Sequence, residues 1–267
     1  MREQLIGTSI YTEISAIADS AREMADPFGI EIHKAAERGD VEALRRELAA
    51  GTDVDVRTPV SEANDGYQTP LQRALVPFPK LERSVLACCR LLLEAGADVN
   101  ARDAQGDSVL HYIACRCNNA VAIPILRLLI DAGADVNARG KQSKTPLHWA
   151  AEYRGSAKAI EFLLRAGAAA NAKKDGDNTP LNLAIIYKYH RYYPLLLHAG
   201  AELPTEEEVG NDPYLRAVIA AGGFEKYANQ HLAAITALFV RTDRPRLPPE
   251  MVRHIFSYWL HAGYYLY

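Results

Sequence analysis

The sequence has little that announces a membrane, a nucleic acid or an active site. No apolar run approaches the roughly 18 residues of a spanning helix, so no membrane segment is expected. Basic and acidic residues nearly balance, 30 against 33. That removes the general argument for a nucleic-acid partner, whose usual footprint is a basic face. The opening stretch MREQLIGTSIYTEISAIADS lacks a basic start, an apolar core and a small-residue cleavage site, so no secretory leader is expected. The patterns HExxH, GxSxG and GxGxxG are absent. The stretch GADVNARGK at 133–141 has six residues between its glycines where a phosphate loop has four, and no Ser or Thr follows Lys141. Without a nucleophile, a base and an orienting group in one constellation, no catalytic residue is assigned and no enzyme is expected. No cofactor is implied.

Cysteine is also scarce. The four are Cys88, Cys89, Cys115 and Cys117 in a chain of 267 residues, too few and too tightly paired for a disulfide framework. A reduced, intracellular protein, cytoplasmic or nuclear, is the expectation. Four cysteines are also a zinc-ligand count. Both pairs fall in expected helices, however, where residues i and i+2 point about 200° apart. Small half-buried thiols are therefore the reading, and no metal site is assigned.

What the chain does have is repetition. EAGADVNAR (94–102) and DAGADVNAR (131–139) differ at one position. AAGTDVDVR (49–57), RAGAAANAK (165–173) and HAGAEL (198–203) are looser copies. Their marker glycines are Gly51, Gly96, Gly133, Gly167 and Gly200, spaced by 45, 37, 34 and 33 residues. Upstream lie EIHKAA (31–36), TPLQRA (69–74), SVLHYIA (108–114), TPLHWAA (145–151) and TPLNLA (179–184). On this period and this T-P-L-H-x-A signature the chain resembles an ankyrin-repeat protein, with five repeats over roughly 29–202.

The residues support the resemblance independently. Thr145 suits an N-cap, and Pro146 suits a first turn that needs no N–H. Ala150 and Ala151 keep that helix slim, and Ile160, Leu163 and Leu164 share a face of the next one. Gly167 permits the left-handed conformation that ends it. Each unit is too small to bury its apolar face alone, so stacking must make the core. The fold class expected is all-α: an ankyrin-repeat solenoid of stacked helix–turn–helix units with finger turns, plus C-terminal helices. Residues 1–28 stand as an N-terminal segment and candidate cap, 29–202 as the five repeats, 203–240 as capping helices (213–223 and 224–240), and 241–267 as a linker and terminal apolar helix. Extra residues fall between the first two repeats and inside the second and third, where loops belong on a solenoid.

The histidines His33, His111 and His148 recur at one repeat position, where a ring that hydrogen-bonds neighbouring turns is the expected role. The resemblance implies a binding surface on the first helices and the fingers. By position it includes Arg73, Tyr112, Trp149 and Leu183, then Val76, Arg116, Tyr153 and Tyr187 three to four residues on. Tyr, Trp and Arg are the residue types that dominate binding hot spots. At the fingers, Arg102, Arg139, Lys141, Lys144, Lys173 and Lys174 form a candidate basic ridge for an acidic segment of a protein partner. A non-catalytic protein-interaction module, expected as a monomer, is the functional reading.

The stretch LPPEMVRHIFSYW (247–259) leaves two readings open. Val252, Ile255, Phe256 and Trp259 share a helix face, which suits either a lid or a handle for a partner. Its opening resembles the start of an F-box helix. Leu232, Thr236 and Val240 with Leu247-Pro248-Pro249 resemble a SOCS box, with Thr236 where that pattern prefers cysteine. Either resemblance implies the alternative function, a substrate-recruiting adaptor of a cullin-type ubiquitin ligase. Leu247, Ile255, Phe256 and Trp259 would then be the tail contacts.

Overall fold

The structure, a computed structural model, describes residues 30–58, 66–75, 83–115, 121–153 and 157–231. Among the described residues every regular element is a helix. The chain divides into two compact units, Met1–Val109 and Leu110–Tyr267.

In the first unit, α1 (Ile30–Arg38) and α2 (Val41–Ala49) form one hairpin, and α3 (Pro70–Leu75) and α4 (Arg83–Glu94) form the next. Helix α1 packs on α3, and α2 on α4. Ile32, Leu44, Leu71, Leu75, Cys88, Cys89 and Leu92 make its core. The tight link between α1 and α2 needs Gly39, whose φ is +70 and where a Cβ would lie 2.7 Å from Ser84 Oγ. Asp40 then caps α2 by accepting from the Ala43 N–H at 2.9 Å. Cys88 and Cys89 are buried thiols whose pKa burial pushes up, to about 11 and about 12.

The second unit repeats the plan. Its helices are α5 (Val109–Ala114), α6 (Ala122–Asp131), α7 (Pro146–Glu152), α8 (Ala157–Arg165), α9 (Pro180–Ile186) and α10 (Tyr193–His198). Helix α7 packs on α9, α6 on α8, and α8 on α10. Ala150 and Ala151 are fully buried, so two inner helices approach with little between them. Pro146 and Pro180 open their helices behind Thr145 and Thr179, both in extended conformation. Each long outer helix ends on a glycine in the left-handed region, as at Gly167 (φ +93). There the Ala168 N–H reaches back to the Leu163 carbonyl at 2.9 Å and the Gly167 N–H to Leu164 at 3.1 Å. These are the paired bonds that close orphan carbonyls at a helix end.

The fingers are stitched to one another by a recurring asparagine. Asn137 donates to the Gly167 carbonyl (3.0 Å) and accepts from the Ala169 N–H (2.8 Å). Asn171 does the same with Gly200 (2.8 Å) and Glu202 (2.8 Å). In the first unit Asp55 stands at this position. Its carboxylate accepts from the Asp98 N–H at 3.0 and 3.1 Å, but an ionised carboxylate has nothing to donate.

Beyond the fifth helix pair the chain adds a short helix, α11 (Glu206–Val209), and then α12 (Pro213–Ala220). The sequence predicts a helix at 213–223, whereas α11 is not expected from it. Four residues, three of them Glu, carry no apolar period to read. What holds α11 is a reciprocal cap: the Thr205 N–H and hydroxyl both donate to Glu208 Oε2, at 2.7 and 3.0 Å. Residues 224–231 are helical again. The expected continuation to 240, the segment 1–28 and the tail 241–267 lie outside the described residues. No helix among the described residues is long and apolar enough to cross a membrane.

Candidate protein-binding face

The signature position of the inner helices fixes their geometry. It is occupied by His33, Gln72, His111, His148 and Asn182 in turn. In the fourth copy the Thr145 N–H and hydroxyl both donate to His148 Nδ1, at 3.1 and 2.8 Å. His148 Nε2 donates to the Asn178 carbonyl of the next finger at 3.1 Å. The imidazole is therefore neutral, with its proton on Nε2. Burial pushes its pKa down to about 4. Gln72 reproduces both halves: its Oε1 accepts from the Thr69 N–H (2.9 Å) while its Nε2 donates to Ala101 and Asp107 carbonyls (both 3.0 Å). Asn182 accepts from the Thr179 N–H at 3.0 Å. His33 donates to the Gln68 carbonyl and His111 to the Lys144 carbonyl, each at 3.0 Å. These side chains cap one helix and hold the adjoining turn.

With the inner helices so anchored, they carry a row of rings in the second unit. Tyr112 meets Trp149 edge to face at 6.1 Å. Trp149 meets Tyr153 at 5.3 Å. Tyr187 and Tyr189 stack at 5.9 Å, and Tyr189 meets Tyr192 at 5.4 Å. A mostly buried ion pair spans the inner helix α7 from the residue before its cap to its last residue. Lys144 Nζ lies 2.7 Å from Glu152 Oε2, and the Tyr187 hydroxyl donates to Glu152 Oε1 at 3.4 Å. Glu152 raises the pKa of the Tyr187 phenol, and burial followed by Glu152 raises that of Tyr153. Both phenols stay neutral donors at physiological pH. The indole Nε1 of Trp149 is buried and has no acceptor among the described residues.

The ankyrin-repeat family model matches three overlapping stretches, residues 32–140, 81–174 and 122–207. The chain belongs to the ankyrin-repeat family. Ankyrin repeats serve in general as protein-interaction modules, while one scaffold accommodates many different partners. No curated protein matches this ankyrin-repeat chain.

Within this ankyrin frame the candidate residues separate into groups. Tyr112, Trp149, Tyr153 and Tyr187 come together in the second unit as described, joined by Ile186, Tyr189 and Glu152, which are not among the expected contacts, and by Lys144, which is expected on the finger ridge instead. The missed signal is positional: Glu152 and Ile186 immediately precede Tyr153 and Tyr187 at the same repeat position. Leu183 is buried. In the first unit Arg73 is engaged at home, its Nε 3.0 Å from Glu37 Oε2 and its Nη1 3.3 Å from Gln68 Oε1.

The proposed basic ridge on the fingers loses members. Lys144 is buried and paired with Glu152, because it directly precedes the Thr145 cap of the inner helix and does not tip the finger. Arg102 Nη1 donates to the Gly106 carbonyl at 3.0 Å, bracing its own finger. Arg139 Nη1 bridges the Ser143 and Lys173 carbonyls at 3.3 and 2.8 Å. Lys141 is exposed at a tight turn in which Gln142 and Ser143 take φ of +58 and +55. Lys173 is exposed with Asp177 at 3.9 Å, and Lys174 Nζ donates to the Asp175 carbonyl at 3.0 Å. Val76, Arg116, Leu247, Ile255, Phe256 and Trp259 lie outside the described residues.

Proposed function

We propose that this ankyrin-repeat chain is a non-catalytic interaction module that holds a protein partner on the inner-helix face of its second unit, centred on Tyr112, Trp149, Tyr153 and Tyr187. In this reading residues 29–202 are the five working repeats and 203–240 the cap that shields the last of them. One observation carries it. Tyr153, Ile186 and Tyr187 are 53%, 58% and 44% exposed, and they sit at the ends of two successive inner helices. The other exposed large apolar residues among those described, Ile30, Tyr67 and Leu203, are scattered along the chain. Isolated exposed apolar residues are ordinary, whereas a contiguous group marks an interaction surface. Tyrosine and tryptophan add large contact area with few torsions to freeze.

The test is site-specific photocrosslinking in cells. A photoreactive phenylalanine analogue at Tyr153 should capture a discrete partner, and the same group at Lys158, on the outer helix, should not. Equal capture from both positions, or capture from Lys158 alone, rejects this face.

A further inference from the structure

The inner helices of the second unit and the loop that follows them carry a lopsided set of charges. Over 109–115, 144–153 and 180–193 the acidic side chain is Glu152 alone. It is neutralised by Lys144 at 2.7 Å and accepts from Tyr187 as well. The segment Tyr187-Lys188-Tyr189-His190-Arg191 then presents three basic side chains and no acidic one. His190 Nδ1 is 3.1 Å from Asp212 Oδ2. Lys188 and Arg191 are exposed, and neither has an ion-pair partner among the described residues.

Lys188 is also strained. Its φ is +56, the left-handed region that disfavours a side chain. It ends α9 in the manner of a glycine: the Lys188 N–H reaches the Ile185 carbonyl at 3.0 Å and the Tyr189 N–H the Ala184 carbonyl at 2.8 Å. The outer helices put Gly51, Gly96, Gly133, Gly167 and Gly200 at this kind of position. Here a cation stands instead, directly after the exposed Ile186 and Tyr187. Strain kept at a surface position points to a use for the side chain.

We infer that the face takes a protein segment in which an aromatic or aliphatic side chain is flanked by carboxylates. The apolar group covers Tyr153, Ile186 and Tyr187, and the carboxylates meet Lys188 and Arg191. This rests on the face proposed above and names its ligand class. The exposed isoleucine favours a protein over a single-stranded nucleic acid, which needs a longer track of cations for its phosphates.

Fluorescence anisotropy with the full chain tests it, using four labelled probes. Three are peptides with a central phenylalanine flanked by Asp and Glu, by Asn and Gln, or by Lys and Arg. The fourth is an oligouridylate. The acidic peptide should bind at least about tenfold more tightly than the neutral one at low salt, with the gap narrowing as salt screens it. The double variant K188E/R191E should reverse the ranking of acidic and basic peptides. K188G should raise the melting temperature while weakening the acidic peptide, opposite signs that a merely structural lysine does not produce. The double variant Y153A/Y187A should lose all three peptides. Should it lose them while K188E/R191E leaves the ranking unchanged, the face stands and the charge assignment falls. Equal binding of the three peptides, tighter binding of the oligouridylate, or no binding of the acidic peptide up to roughly a millimolar overturns the inference.

Discussion

The fingers and the inner-helix ends put their side chains to different purposes. Arg102 and Arg139 on the fingers donate their guanidinium N–H groups to turn carbonyls. Asn137 and Asn171 use both ends of their amides to join one finger to the next. At the inner-helix ends, Tyr153, Ile186, Tyr187 and Lys188 are left to solvent. These finger arginines and asparagines therefore hold the chain's own backbone, and the side chains at the helix ends have surface to offer. What separates the two roles is whether the polar atoms of a side chain are taken up by the chain's own backbone.

The sharpest way to break the contrast is at Glu152, where the inner face is itself structural. Glu152→Ala leaves a mostly buried lysine unpaired and should cost about 3 kcal/mol in urea unfolding. Replacing the pair together, Lys144→Met with Glu152→Leu, should recover most of that loss. An E152A protein as stable as the parent would mean that the pair is solvated.

His148→Ala should cost roughly 2 kcal/mol, because the Thr145 N–H and the Asn178 carbonyl both lose a buried partner. His148→Gln should retain most of the stability, since Gln72 makes the equivalent bonds. The same histidine sets an acid response. Its folded pKa, about 4, lies below the usual histidine value of 6.5, so the folded state binds fewer protons between those values. The stability it contributes is full above 6.5 and is lost as pH falls toward 4. Unfolding curves at pH 7 and pH 4.5 should show a smaller drop for H148Q than for the parent, and equal drops would refute the assignment.

Asn171→Ala removes two finger bonds and should cost about 1 kcal/mol. Asp55→Asn makes the opposite change at the same repeat position. Burial, with Asp98 and Asp53 nearby, raises the Asp55 pKa, so its ionised form is disfavoured by folding. An asparagine there supplies the missing donor toward the Gly96 carbonyl and should stabilise by about 0.5–1 kcal/mol at neutral pH. Because the folded pKa is raised, the cost of the carboxylate grows as pH rises through 3.8 to the folded value. The gain from Asn should therefore shrink in acid. A thermal scan at pH 7 and pH 4 reads both. At the small end, Lys141→Ala and Lys173→Ala should change stability by less than about 0.5 kcal/mol, as exposed finger side chains do.

The repeat itself was legible because it is written redundantly. Five marker glycines and five inner-helix openings, each with its own local reason, leave the hairpin plan little room to vary. The histidine position was legible for the same cause, and its neighbours Gln72 and Asn182 show that the requirement is one acceptor and one donor rather than a ring. Lys144 was misplaced because a residue that precedes a threonine cap reads as turn, and only the partner eight residues on, Glu152, draws it under the surface. The short helix α11 went unread because a capping box, not an apolar stripe, makes it.

Sequence by itself determined the family, the helix pairs and the glycine ends, because each depends on contacts within a few residues or on backbone conformation that few side chains tolerate. Tertiary structure decided which charges are exposed. A lysine's position along the chain says how far it can reach, but whether a carboxylate or carbonyl stands at the end of that reach depends on how its helix and the surrounding turns pack. That is why Lys144 is withdrawn into an ion pair while Lys188, two positions past the last residue of its inner helix, remains on the surface beside Tyr187.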